Sequence, residues 1–237
     1  MMHDESLRAS KEVSGRLFGG AGKVGSSILS PAERRFQPWL AGRIPHFIQT
    51  QHLTWMTVLW SALAVTWGYL SAHNREFIWL SILNVILQYG TDLSDGEVGR
   101  QRGTGLIRWG YYMDHFLDYV FLCSLFIGYA FLAPRGSTVL LFATALLWTG
   151  FLVHSFLAFG ATNSFRIAYF GIGPSELRVL VILVNLLNLW FGVNAVARFL
   201  PLALVVSAFF IGSAVWSTQR EIRALDRSEV QCRVDGC

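Results

Sequence analysis

Charge is what this chain of 237 residues has least of: 14% of its residues are Asp, Glu, Lys or Arg, against about a quarter in an ordinary soluble domain. That scarcity argues against a soluble enzyme, and the apolar content that replaces the charge argues against an intrinsically disordered chain. Cysteine is scarce as well. Cys123, Cys232 and Cys237 are too few and too unevenly spaced for a disulfide framework or a zinc site. A phosphate-binding loop is also missing. GGAGKV at residues 19–24 resembles one superficially, but Leu17 stands where the first glycine is required and Val24 where Ser or Thr is required.

In place of charge there are long apolar runs. Fifty-three per cent of the residues are hydrophobic, with nine Trp and eighteen Phe, and the mean hydropathy is +0.44. Six apolar segments, at about 53–70, 77–91, 110–133, 138–159, 177–192 and 199–217, are mostly near the length of about 20 residues that a helix needs to cross a bilayer. SAHNRE, GIGPSE, APRGS and GVNAVAR between them supply turn and cap residues. The expectation is an all-α integral membrane bundle of six transmembrane helices. Residues 1–30 read as a flexible Gly/Ser-rich arm without a cleavable signal peptide. Residues 31–50, where Phe36, Trp39, Leu40 and Ile44 alternate with Arg34, Arg35 and Arg43, read as an amphipathic interfacial helix. A transmembrane unit over 51–219 and a polar tail over 220–237 complete the division.

Six crossings put both termini on one side. The arm, the tail and the loops after the second and fourth segments then hold sixteen of the nineteen Lys and Arg residues, leaving Arg75, Arg135 and Arg198 on the other face. The positive-inside rule makes the first face cytosolic. The net charge of +4 is thereby a topological signal, and no nucleic-acid partner is expected.

The exception to the apolar pattern is TDLSDGEVGRQRGTGLIRWGYYMDHFLDYV, residues 91–120. Asp92 and Asp95 are three apart, and Gly110, Asp114 and Asp118 are spaced by four, so each set shares a helical face. Seventeen residues separate Asp92 from Arg75 and Asp118 from Arg135, which at about 1.5 Å per residue sets both about 25 Å from the outer face. Asp95 and Asp114 form a second pair at about 30 Å. Carboxylates near the edge of the hydrocarbon are unfavourable to insert and are usually functional. Four of them demand a cation, and an all-oxygen donor set suits one or two hard ions, Mg²⁺ or Mn²⁺. Two such ions clamp a phosphate or diphosphate. Gly96, Gly99, Gly103 and Gly105 permit close backbone approach, while Arg100, Arg102 and Arg108 are placed to pair with phosphate oxygens.

DLSDGEVGR, nine residues, then GYYMDHFLD resembles the signature of the CDP-alcohol phosphatidyltransferase family, DxxDGxxAR followed by GxxxDxxxD. Seven of the eight fixed positions match, Gly99 standing where the family has Ala. The resemblance implies a six-helix membrane enzyme, usually a homodimer, in which two Mg²⁺ or Mn²⁺ ions serve the attack of an alcohol acceptor on a CDP-linked lipid or CDP-alcohol donor, with release of CMP. It implies Asp92, Asp95 and Asp114 as metal ligands, and Asp118 as a metal neighbour and the general base. Gly96, Gly99 and Arg100 would line the CDP site, and Gly110 would let the third helix pack closely.

Other positions are read from the sequence alone. Glu176, opening the fifth helix after Pro174 and Ser175, either caps that helix or touches the acceptor. Arg166 and Arg108 are candidate contacts for the acceptor or its head group. Asn84 and Gln88, one and two turns before Asp92, are placed to hydrogen-bond in the cavity, whereas His115 is expected to face away from the carboxylate stripe and His154 to pack within the bundle. The leading expectation is transfer of a phosphatidyl group from CDP-diacylglycerol to a polar alcohol. The alternatives are CDP-choline or CDP-ethanolamine with diacylglycerol, or a catalytically silent scaffold of the same family. A transporter would set its charges nearer the bilayer midplane.

Overall fold

The computed structural model describes residues 23–103, 106–166 and 168–235. The arm before residue 23, with the start of GGAGKV, lies outside the described residues, as do Gly105 and Cys237. The described residues are almost wholly helical: α1 (Ser30–Ala41), α2 (Thr50–His73), α3 (Ile78–Arg102), α4 (Ile107–Leu132), α5 (Thr138–Thr162), α6 (Pro174–Phe191), α7 (Val193–Ala197) and α8 (Leu200–Asp235). Two short strands, β1 (Lys23–Val24) and β2 (Phe165–Arg166), pair in parallel and tie the start of the described chain to the loop between α5 and α6.

Among the described residues, five helices are long and apolar enough to cross a membrane: α2, α4, α5 with the turn before it, α6 and α8. Their outer faces carry exposed Leu, Val, Ile, Phe and Trp along most of their length, a surface compatible with hydrocarbon and not with water. The 25 residues of α3 are long enough, about 37 Å at 1.5 Å per residue. Its apolarity is lost to Gln88, Asp92, Asp95, Glu97, Arg100 and Arg102, so the expected sixth crossing rests on the helix that carries the acidic motif. Every helix also outruns its apolar segment or shifts from it: α3 continues through the motif to Arg102, and α8 absorbs the polar tail as far as Asp235.

At the centre, α2 packs against both α3 and α4, while α6 and α1 pack on α3, and α5 bridges α4 to α8. The α2–α4 crossing is closest at Gly68 and Gly128, where a Cβ on Gly68 would stand 2.3 Å from the Gly128 Cα. With Ala64 and Ser124 one turn away, this is the small-residue contact that lets membrane helices touch through their backbones. At Gly110, by contrast, nothing lies within 4 Å of where a Cβ would stand among the described residues; the close approach of α4 to α2 falls in its second half.

The inward stripe of α3 explains the site. Ile78, Ile82 and Val85 are buried and apolar at one end, and the same stripe continues at spacings of three and four through Gln88, Asp92 and Asp95. One helical face thus serves as hydrophobic core toward one end of the bundle and as polar site toward the other. Trp60, buried on α2, donates its indole N–H to Thr91 Oγ1 at 3.0 Å and so ties α2 to α3.

Candidate functional site

Asp92 on α3 and Asp118 on α4 converge on one nitrogen. Nη2 of Arg178, from the second turn of α6, lies 2.9 Å from Asp92 Oδ2 and 3.0 Å from Asp118 Oδ1. Its Nε donates to Gln88 Oε1 at 2.8 Å. Arg178 is only 8% exposed, while the Asp92 and Asp118 side chains remain 18% and 23% exposed. The arginine therefore closes the inner end of the cluster, and the carboxylates stay reachable from outside.

Asp95, one turn beyond Asp92, is buried and held from α2. Thr54 Oγ1 donates to its Oδ2 at 3.1 Å, and Thr50 Oγ1 donates to its backbone carbonyl at 3.0 Å. Asp114, Asp118 and His115 present ligand atoms that all lie within 4.8 Å of one another. His115 departs from expectation. Its ring packs against Tyr111 and Phe165, with centroids 4.7 and 4.6 Å away, yet its Nδ1 is 3.8 Å from Asp114 Oδ2. A neighbour about 100° round the helix still reaches the carboxylate because these aromatic rings lean the imidazole toward it.

The remaining expected positions separate into open and engaged groups. A Cβ on Gly96 would meet only the tip of Arg100, at 3.6 Å, so that backbone is approachable. The carbonyls of Gly99 and Arg100 receive the N–H of Gly103, which ends α3 in a left-handed conformation with φ of 62°. Arg100 pairs with Glu97 at 2.7 Å on a side chain 64% exposed, a contact weak enough to exchange for a ligand. Arg108 is exposed in the first turn of α4, and Arg166 pairs with Glu221 of α8 at 3.0 Å. Arg102 is turned away from the carboxylates: it donates to the carbonyls of Ile44, Pro45 and Ile48, fixing the loop between α1 and α2.

Both oxygens of Glu176 are in use. Oε2 accepts the N–H of Gly173, the cap of its own helix, and Oε1 accepts the N–H of Leu29, the cap of α1, each at 2.8 Å. Together with Tyr89, whose hydroxyl donates to Glu33 at 2.5 Å, this ties α1 to the mouth of the site. Arg178 and the two threonines were invisible to motif reading, since they lie on helices outside the signature. Arg178 nevertheless carries a signal: it is the lone charge in LRVLVILV, and an ionisable residue in an apolar helix usually has a buried partner.

The donor set is hard oxygen, comes from two facing helices and already surrounds a cationic group, so it fits a divalent ion. No curated protein and no solved structure matches the chain. Residues 44–215, close to three-quarters of the sequence and including all four aspartates, match the family model for CDP-alcohol phosphatidyltransferase. A helical membrane bundle with its acidic signature converged between α3 and α4, and a family match over that same span, lead to one statement: the chain belongs to the CDP-alcohol phosphatidyltransferase family.

Proposed function

We propose that this protein transfers a phosphatidyl group from CDP-diacylglycerol to a polar alcohol, releasing CMP, with α3 as the sixth crossing and the active site at the cytosolic surface. Family membership supports a phosphatidyl-transferring enzyme of phospholipid synthesis. The observation that supports a catalytic centre common to either donor is the meeting of Asp92 and Asp118 within 3.0 Å of a single cationic nitrogen, with Asp114 beside Asp118. The orientation is supported by the arginine-rich face on which the cluster lies, and the homodimer by the family resemblance.

Asp92, Asp95, Asp114 and Asp118 would hold two Mg²⁺ or Mn²⁺ ions, whose contribution is to offset the negative charge of the donor's diphosphate and of the departing CMP. Gly96 leaves the backbone of α3 accessible to the cytidine phosphate, Gly99 is assigned to the same site one turn on, and Arg100 can leave Glu97 for a phosphate oxygen. The acceptor hydroxyl forms its bond to the phosphatidyl phosphorus as the bond from that phosphorus to the CMP oxygen breaks. Its proton passes to Asp118, the carboxylate more exposed than Asp92 and placed to act as general base. Arg108, exposed in the first turn of α4, and Arg166, half-buried beside Glu221, are assigned to the acceptor head group. Glu176 acts there by holding α1 in place.

The test is CMP release by purified protein with Mg²⁺ or Mn²⁺, offering CDP-diacylglycerol with a panel of polar alcohols, and CDP-choline or CDP-ethanolamine with diacylglycerol. Release only with the first donor supports the proposal. Release only with the second reverses the polarity, and no CMP with any pair refutes the enzymatic reading.

A further inference from the structure

None of these steps uses Arg178, although its geometry is the most constrained in the site. One nitrogen sits within 3.0 Å of two carboxylates on different helices. Its Nε donates to Oε1 of Gln88, a side chain with no exposure, at 2.8 Å. The Tyr89 ring lies 5.6 Å from the guanidinium carbon and is itself anchored through Glu33. This is a built seat for a cation between Asp92 and Asp118.

Resting on the reading of these carboxylates as an ion-holding site, we propose that Arg178 is an internal counter-ion that competes with the divalent ion for Asp92 and Asp118. Without an ion, facing carboxylates in a low-dielectric interior repel each other, and the guanidinium supplies the missing positive charge. Nη2 engages one oxygen of each carboxylate, Asp92 Oδ2 and Asp118 Oδ1, so an entering divalent ion that shares those carboxylates meets the repulsion of the guanidinium at close range. Tight binding therefore favours withdrawal of Nη2, and the Gln88 bond at Nε provides a pivot that keeps the side chain nearby. Arg178 is a positioning residue in this scheme: it makes the ion-free protein stable and sets a threshold for ion binding.

The experiment is Mn²⁺ titration of the purified full-length protein, with free Mn²⁺ read by electron paramagnetic resonance, alongside thermal unfolding with and without Mn²⁺. Arg178→Gln is expected to bind Mn²⁺ about tenfold more tightly than wild type, the equivalent of one charge-assisted hydrogen bond no longer in competition. Its ion-free melting temperature should fall, and Mn²⁺ should restore it. A merely structural arginine would lower stability without raising affinity. Arg178→Lys, which keeps the charge but cannot span both carboxylates and Gln88, should fold more readily and bind with intermediate affinity, so it decides the matter if the glutamine variant does not fold. Unchanged or weaker Mn²⁺ binding in the variants, with wild-type binding abolished by Asp114→Asn, overturns the role of Arg178 alone. If neither wild type nor variants bind Mn²⁺, the metal reading falls and takes this proposal with it.

Discussion

Thr54→Val is the most direct probe of how α2 serves the site. Thr54 is buried at 2% exposure and Asp95 at 9%, so water cannot replace the hydroxyl when it is removed. That hydroxyl has one proton and two acceptors at 3.1 Å, the Thr50 carbonyl and Asp95 Oδ2, and the charged oxygen is the stronger attractor. Valine keeps the shape and leaves Oδ2 facing a methyl group. A hydrogen bond to a charged group is worth about 1.5–3 kcal/mol net, and about 1.4 kcal/mol is a factor of ten. Loss of the bond also removes the restraint that α2 places on the Asp95 carboxylate, and removal of such an orienting partner typically lowers metal affinity by about 10–100-fold. The expected result is Mn²⁺ binding weakened by that factor, with CMP release falling in parallel at fixed Mn²⁺ and recovering as Mn²⁺ is raised. Thr54→Ser, which keeps the donor, should stay close to wild type. A folded Thr54→Val protein that binds Mn²⁺ as wild type does would refute the claim that α2 orients Asp95.

Asp114→Asn should abolish CMP release while leaving the helical content by circular dichroism unchanged; retained turnover would remove Asp114 from the site. Gly68→Ala pushes a methyl to 2.3 Å from the Gly128 Cα, against backbone that must open by about 1 Å to reach ordinary contact, and should destabilise the bundle by about 1–3 kcal/mol. Gly150→Ala, with nothing within 4 Å, is the control, and equal melting temperatures for the two would refute the crossing. Glu176→Ala removes the acceptor of the N–H groups of Leu29 and Gly173 and should cost about 0.5–2 kcal/mol of cap energy. Hydrogen exchange should rise over residues 29–42; if exchange there is unchanged and acceptor KM alone rises, Glu176 belongs to the acceptor site.

What could be read in the sequence and what could not follow from the range of the interactions involved. The carboxylate stripe is a local matter: residues three and four apart on one helix share a face whatever the fold, so Asp92 with Asp95 and Asp114 with Asp118 were legible from spacing alone. Counting rise from Arg75 and Arg135 even paired Asp92 with Asp118 in depth, because two antiparallel helices joined by nearby turns must keep register, and those two residues do meet on Arg178. The identity of what lies between them was not legible. Arg178 is 60 residues from Asp118 and 90 from Gln88, and nothing periodic links them. Its count among the arginines of one face hid it, since a charge that reports topology and a charge that is buried look alike until a neighbour is known. The glycine contact was hidden in the complementary way: the closest approach of α2 and α4 is at Gly68 and Gly128, 60 residues apart and outside the motif, where no local pattern points to it. Patterns within one helix thus identify which groups share a face, whereas contacts between helices decide which charge those groups meet. For this site the second kind of information changes the picture, from an unaccompanied cluster of carboxylates to one in which Asp92 and Asp118 already pair with a buried arginine.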